Sequence, residues 1–222
     1  MMPRLPAFFP EDPAQTLRIK RFLIALGSYA MWAGLCAVSV LQGFTRYTME
    51  DLFHISLAVL FTNSVTYIVF RTGLNKKFKD PSLTIPQMLL GTFWIMVCIY
   101  GAAEIRSSML MLYFVVLVFG VFRLRLRQFI LVSFFALVNY AIVIYLIYTY
   151  HPEEIKLRLE LTNILFLATV LPWFSLVGSY ITNLRTTIAK ALETIEKLAV
   201  TDELTEVYNR RRLLEILKEQ KA

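Results

Sequence analysis

The sequence predicts an all-α membrane protein of six transmembrane helices, the last continuing into a cytoplasmic helix that forms a parallel coiled coil. Three observations carry this. Apolar types make up 57% of the 222 residues and charged types 18%, against about 45–50% and 25% in an ordinary soluble domain, and mean hydropathy is +0.59. Residues 22–45, 52–70, 82–103, 107–122, 128–152 and 161–184 hold no Asp, Glu, Lys or Arg, and most of these stretches reach the roughly 20 residues a helix needs to cross a bilayer. An apolar stripe at heptad spacing then follows the sixth stretch without a Gly or Pro. These features exclude a soluble globular domain, a disordered chain, a disulfide scaffold and a β-barrel porin.

The net charge of +7 is distributed unevenly. With six crossings and a cytoplasmic N-terminus, nineteen Lys and Arg fall on the cytoplasmic side. Only Arg46, Arg106, Lys156 and Arg158 fall on the other. The positive-inside rule therefore predicts that both termini are cytoplasmic. The basic excess reads as topology and attraction to anionic lipid headgroups, so membrane lipids are expected partners and nucleic acid is not. No cleavable signal peptide is visible. Cys36 and Cys98 both lie inside spans and read as buried free thiols, with no disulfide or metal framework.

The expected organisation is a cytoplasmic arm at 1–20, a six-helix membrane domain at 21–181, a coiled-coil helix at 182–200 and a further segment at 201–222. The arm is expected to be loose through Pro13, because Met1–Pro13 holds four prolines. Span 1 carries Gly27, Ala30, Gly34 and Ala37 on one face, which lets a second backbone approach, either from another copy or from a neighbouring span. Span 2 starts near His54 and holds a polar patch, Thr62, Asn63, Ser64 and Thr66. Span 3 opens at Ile85-Pro86-Gln87, and proline is tolerated in a first helical turn. Spans 3 and 4 are separated only by Glu104-Ile105-Arg106. Span 4 is short, about 24 Å at 1.5 Å per residue; a re-entrant hairpin is the alternative, but it conflicts with the basic run Arg123, Arg125, Arg127. Span 5 ends in Tyr145, Tyr148 and Tyr150, an interfacial aromatic belt. Pro172 in span 6 removes a backbone donor and is expected to kink the helix, either as a moving part or as static packing.

Beyond the membrane the apolar residues Ile181, Leu184, Ile188, Ala191, Ile195 and Leu198 follow steps of three and four, the a/d pattern of a coiled coil. A seam this short is expected to act in a homodimer held by the membrane spans. The alternative is a single amphipathic helix on the bilayer surface. Thr201 or Asp202 can cap a new turn and Asn209 a last short helix, whose apolar face, Leu213, Leu214, Ile216 and Leu217, has nothing in this chain to cover it.

The string LAVTDELTEVYNRRRLLEIL resembles the opening of GGDEF domains, the diguanylate cyclases that make cyclic di-GMP from two GTP. Thr201, Asp202, Leu204, Thr205, Asn209, Arg210 and Arg211 match the family's T-D-x-L-T-x-x-x-N-R-R turn. Glu206 stands where the family usually has Gly, and Val207 where it has Leu. The resemblance covers about 20 residues and implies a bacterial inner-membrane protein that senses through its spans and controls a cyclase through the linker helix. The family's metal-binding aspartate, guanine contacts and GG(D/E)EF loop lie downstream of this motif and are not in the sequence, whose last glycine is Gly178. The chain itself is therefore expected to be no enzyme, to bind no metal and to need no cofactor. GTP and magnesium would belong to the catalytic domain. A small transporter or channel is the alternative, against which no charge lies in the middle of a span.

The residues expected to meet a small ligand, or to hydrogen-bond between helices, are Thr62, Asn63, Thr66, Trp94, Asn139 and Tyr140 within the spans. Glu104 and Arg106 at the outer turn, with His54 and His151, complete the set. The aromatic-rich spans and short outer loops favour an apolar or amphipathic signal entering from the bilayer.

Overall fold

A computed structural model of the chain describes residues 10, 12–121 and 123–200. The described residues are almost all helical, and no strand occurs among them beyond one bridge between Thr45 and Ala102. The GGDEF-like string from Thr201 to Arg211 lies outside the described residues.

Helix α1 spans Pro13–Leu41. It starts earlier than the proline-rich composition suggests, because Asp12 caps it, accepting from the backbone N–H groups of Ala14 and Gln15 at 2.9 and 3.3 Å, and Pro13 takes a first-turn position where no N–H is needed. Gly43, at φ +74°, turns the chain after α1. Helix α2, Met49–Arg71, begins ahead of the expected start near His54 because Thr48 and Asp51 form a reciprocal capping box. A single 3₁₀ turn at Leu74–Lys77 leads to α3, Thr84–Gly101.

The expected continuous fourth span is not present. In its place stand two short helices, α4 (Arg106–Met109) and α5 (Leu112–Gly120). Between them Leu110 and Met111 keep helical dihedrals, −60° and −23°, but the local bonds run i to i−3, as in Met111 N–H to Ser108 at 3.2 Å and Phe114 N–H to Met111 at 3.1 Å. A 3₁₀ stretch rises about 2.0 Å per residue instead of 1.5 Å. The segment is pinned at both ends, by Arg106 on α7 and by Gly120 against Phe129. Tightening its coil lengthens a segment with few residues.

Helix α6 covers Leu126–Tyr150 and α7 covers Leu157–Val200, 44 residues in one helix that runs through Pro172. Helices α1, α2, α3, α6 and residues 157–195 of α7 are each long and apolar enough to cross a membrane. Their outward side chains agree: Phe61, Met111, Leu165, Phe166 and Trp173 are largely exposed, a surface suited to lipid rather than water.

The main core lies between α3, α5, α6 and α7, around Ile95, Ile99, Tyr113, Leu117, Phe129 and Ile147. Helices α1 and α2 pair with each other and join the rest mainly through side chains facing α3. On the small-residue face of α1 the two glycines are open, since a Cβ at Gly27 or Gly34 would touch nothing within 4 Å, while Ala37 packs against the core.

Each end of the bundle is tied by polar contacts. At one end Arg46 donates to the carbonyl of Tyr100, stacks over its ring at 4.6 Å and pairs with Glu154 at 3.4 Å. Tyr47 packs flat on Gly101, where any side chain would collide, and burial pushes its phenol up to about 12. At the other end Gln15 donates to the carbonyl of Phe70 and to the side chain of Asn75 at 2.5 and 2.8 Å, and Asn75 donates to the carbonyl of Pro81 at 2.6 Å. Asp80 accepts from the backbone N–H groups of Ser82 and Thr84 at 3.0 and 2.9 Å and from Arg123 at 3.1 Å. Partial burial opposes the charge of Asp80, but these donors outweigh it and hold its carboxyl below the ordinary value.

Candidate functional site

The densest buried polar cluster sits where α4, α6 and α7 converge. Arg106 opens α4 directly after the C-terminus of α3, and its Nε donates to the carbonyl of Ala102 at 3.1 Å. Its Nη1 meets Glu160 Oε1 at 2.5 Å, with both side chains at most 4% exposed. Glu160 lies in the first turn of α7, where the helix dipole favours a negative charge. Its other carboxylate oxygen accepts from the hydroxyl of Tyr140, on α6. Asn163, one turn further along α7, donates to Ser107 Oγ at 2.9 Å, to Tyr140 Oη at 3.2 Å and to Glu160 Oε2 at 3.3 Å.

This network fastens α7 to α4 and α6 with a charge pair taken out of solvent. Breaking such a pair is costly, because the partner stays buried and charged. One donor in it is unused: Arg106 Nη2 is buried with no hydrogen-bond partner, as is Asn139 Nδ2 elsewhere on α6. A cleft of about 310 Å³ adjoins it, lined by Ser107, Phe114, Asn163, Phe166 and Val170 among others. The cluster has the charge to hold an acceptor or to change its own pairing.

Farther along, α7 is tied twice more. The hydroxyls of Ser133 and Ser175 meet at 2.8 Å. Thr182 donates to the carbonyl of Val121 at 2.8 Å. Near it, Phe129 is wholly buried between Gly120 and Gly178, where a Cβ at either glycine would lie 2.8 Å from the ring. In this last part of the helix Ile181, Leu184, Ile188, Ala191 and Ile195 are all exposed. Leu198 falls in the last turn of the same helix.

Of the residues that the sequence singles out, Arg106 and Tyr140 come together in this network, while Asn139 lies beside Tyr140 on α6. Glu104 is exposed on the turn before α4. A second group forms between α2 and α3: Trp94 Nε1 donates to Thr62 Oγ1 at 3.2 Å. Asn63 donates to the carbonyl of Val59 at 2.9 Å and Thr66 to that of Thr62 at 3.1 Å, each one turn back along α2. His54 lies 3.9 Å from Glu50 on the exposed start of α2. His151, Glu153 and Glu154 bring possible cation ligands within 4.8 Å of one another, with Glu154 already paired to Arg46.

Sequence reasoning missed Glu160 and Asn163. From the sequence, His151–Glu160 reads as an outer loop whose acids are Glu153, Glu154 and Glu160. The signal was present: Glu160, Asn163, Leu167 and Leu171 follow helical steps, so the two polar residues share the face that the two leucines bury. Comparison of the chain with protein-family models, with curated proteins and with solved structures gives no match.

Proposed function

We propose that the chain is the sensing and dimerising membrane part of a signalling protein whose output is a C-terminal diguanylate cyclase. In this reading the chain crosses the bacterial inner membrane six times, with α4 and α5 together making the fourth crossing and both termini in the cytoplasm. Arg106 and Glu160 then lie toward the outer face. The stalk from Ile181 to Leu198 pairs with that of a second copy and sets how two cyclase domains meet. GTP and magnesium act only in those domains.

One observation carries the reading: α7 is a single helix that begins in a buried ion pair and ends in an exposed apolar seam at heptad spacing. A change of packing at Glu160 or Asn163 moves a rod whose far end bears the dimer seam and then the GGDEF-like string. Such coupling counts as allostery when two packings of the rod exist and the stimulus favours one. The contacts of α4–α5 with both ends of the bundle support this fourth crossing.

Cysteine crosslinking in membranes tests the dimer. In a background with Cys36 and Cys98 replaced by serine, Ile188→Cys and Ile195→Cys are expected to crosslink symmetrically, while Thr187→Cys and Thr194→Cys are not. Equal crosslinking at all four positions, or at none, refutes the parallel seam. Cyclic di-GMP output of a chain carrying the cyclase domain tests the rest: Glu160→Gln is expected to change it, and output unchanged by this and by seam substitutions refutes the coupling.

A further inference from the structure

Helices α1 and α3 carry the same short pattern, a tryptophan followed four residues later by a cysteine: Trp32 with Cys36, and Trp94 with Cys98. Four residues is about one helical turn, so each tryptophan lies directly above its cysteine. The two pairs face one another. All four residues line one cleft of about 270 Å³ between α1, α2 and α3, with Tyr29 on its wall. The two thiols are free of any disulfide, and both line this cleft, one from α1 and one from α3.

The donors of this cleft are unequal. Trp94 spends its indole N–H on Thr62. Trp32 is 6% exposed, and its indole N–H is buried without a partner. A buried donor left unpaired costs free energy, and an acceptor entering the cleft would remove that cost. Ala30 and Leu60, on the rim, are exposed on the apolar outer surface, so the entrance faces the lipid rather than the loops.

The occupant that suits these walls is flat, apolar and lipid-soluble, with a carbonyl acceptor. With two thiols on the walls of the same cleft, the chemistry available is a two-electron oxidation. We propose that the cleft binds a lipid-soluble quinone, with a ring carbonyl accepting from Trp32, and that the quinone oxidises Cys36 and Cys98 to a disulfide. Two S–H bonds break and one S–S bond forms. The two electrons and two protons pass to the quinone oxygens, giving the hydroquinone. The new bond ties α1 to α3, two helices otherwise joined mainly by side-chain contacts. The proposal is independent of the cyclase reading.

The test uses the purified full chain in lipid nanodiscs under anaerobic conditions, with a short-chain benzoquinone as the probe. Thiols are counted by maleimide labelling, hydroquinone by absorbance and the product by intact mass. The expected result is joint loss of both thiols, one hydroquinone per chain and a mass lower by two hydrogens. Cys36→Ser should leave Cys98 unoxidised. Trp32→Phe should raise the quinone concentration for half-oxidation by about fivefold, the effect of one hydrogen bond. Should Trp32→Phe fail to accumulate, quenching of tryptophan fluorescence by the quinone in the Cys36→Ser/Cys98→Ser chain reads binding alone, and saturable quenching is expected. Thiols that stay titratable at saturating quinone, a mass increased by a quinone adduct, or no saturable quenching would each overturn the proposal.

Discussion

Replacing Glu160 with glutamine keeps the shape of the side chain and removes its charge. Arg106 then remains ionised, because a guanidinium does not deprotonate in proteins, and it remains buried with Nη2 already unpaired. Breaking a buried ion pair by removing one partner costs about 3–5 kcal/mol. For a chain of this size, each kcal/mol lowers Tm by roughly 2–4 °C, so the expected loss is about 10 °C. Replacing both residues, as in Arg106→Met/Glu160→Met, removes the stranded charge along with its partner. Exchanging a buried pair for apolar side chains is often neutral or stabilising by about 1–4 kcal/mol. Against that stands the hydroxyl of Tyr140, left without its acceptor, at about 1–3 kcal/mol. The double variant should therefore fall near the parent and well above Glu160→Gln. Thermal unfolding in nanodiscs of the parent, Arg106→Met, Glu160→Met and the double variant completes the double-mutant cycle, with Glu160→Gln measured beside them. A Glu160→Gln chain within about 1 kcal/mol of the parent, or a double variant as unstable as the sum of its singles, would refute the argument that the pair is buried and coupled.

Two further outcomes follow from the packing and the charges. Gly178→Ala is expected to destabilise by about 1–3 kcal/mol through overpacking, since its Cβ would meet a Phe129 ring that also abuts Gly120; Phe129→Leu in the same chain should recover part of the loss, and thermal unfolding measures both. Asp80 sits below its ordinary value of 3.8 in the folded chain, so its share of the stability is present above 3.8 and is lost as the pH falls through the folded value. Acid titration of unfolding should show that loss in the parent and not in Asp80→Asn.

The long helices were legible because absence of charge over about 20 residues is a strong signal. Their starts were not, because Asp12 and Thr48 act through caps that lie outside the apolar runs. The fourth stretch looked like a short ordinary span. Its 3₁₀ stretch arises from where Arg106 and Gly120 are held, which depends on α6 and α7 and leaves no local trace. Arg106 and Tyr140 stood out as polar residues near apolar stretches, yet their partners did not: Glu160 looked like one more loop acid until its helical phase set it beside Asn163. Gln15 and Asn75 were equally silent, since two neutral amides far apart in sequence give no hint that each satisfies the other.

The phenylalanine between two glycines gives α7 a fulcrum. From Glu160 to Gly178 the helix is about 27 Å long, and from Gly178 to Val200 about 33 Å, at 1.5 Å per residue. Rocking about Phe129 would carry the two tips in opposite senses with nearly equal travel. A pull that draws the first turn of α7 inward would swing the stalk outward by a similar distance, like the two arms of a balance.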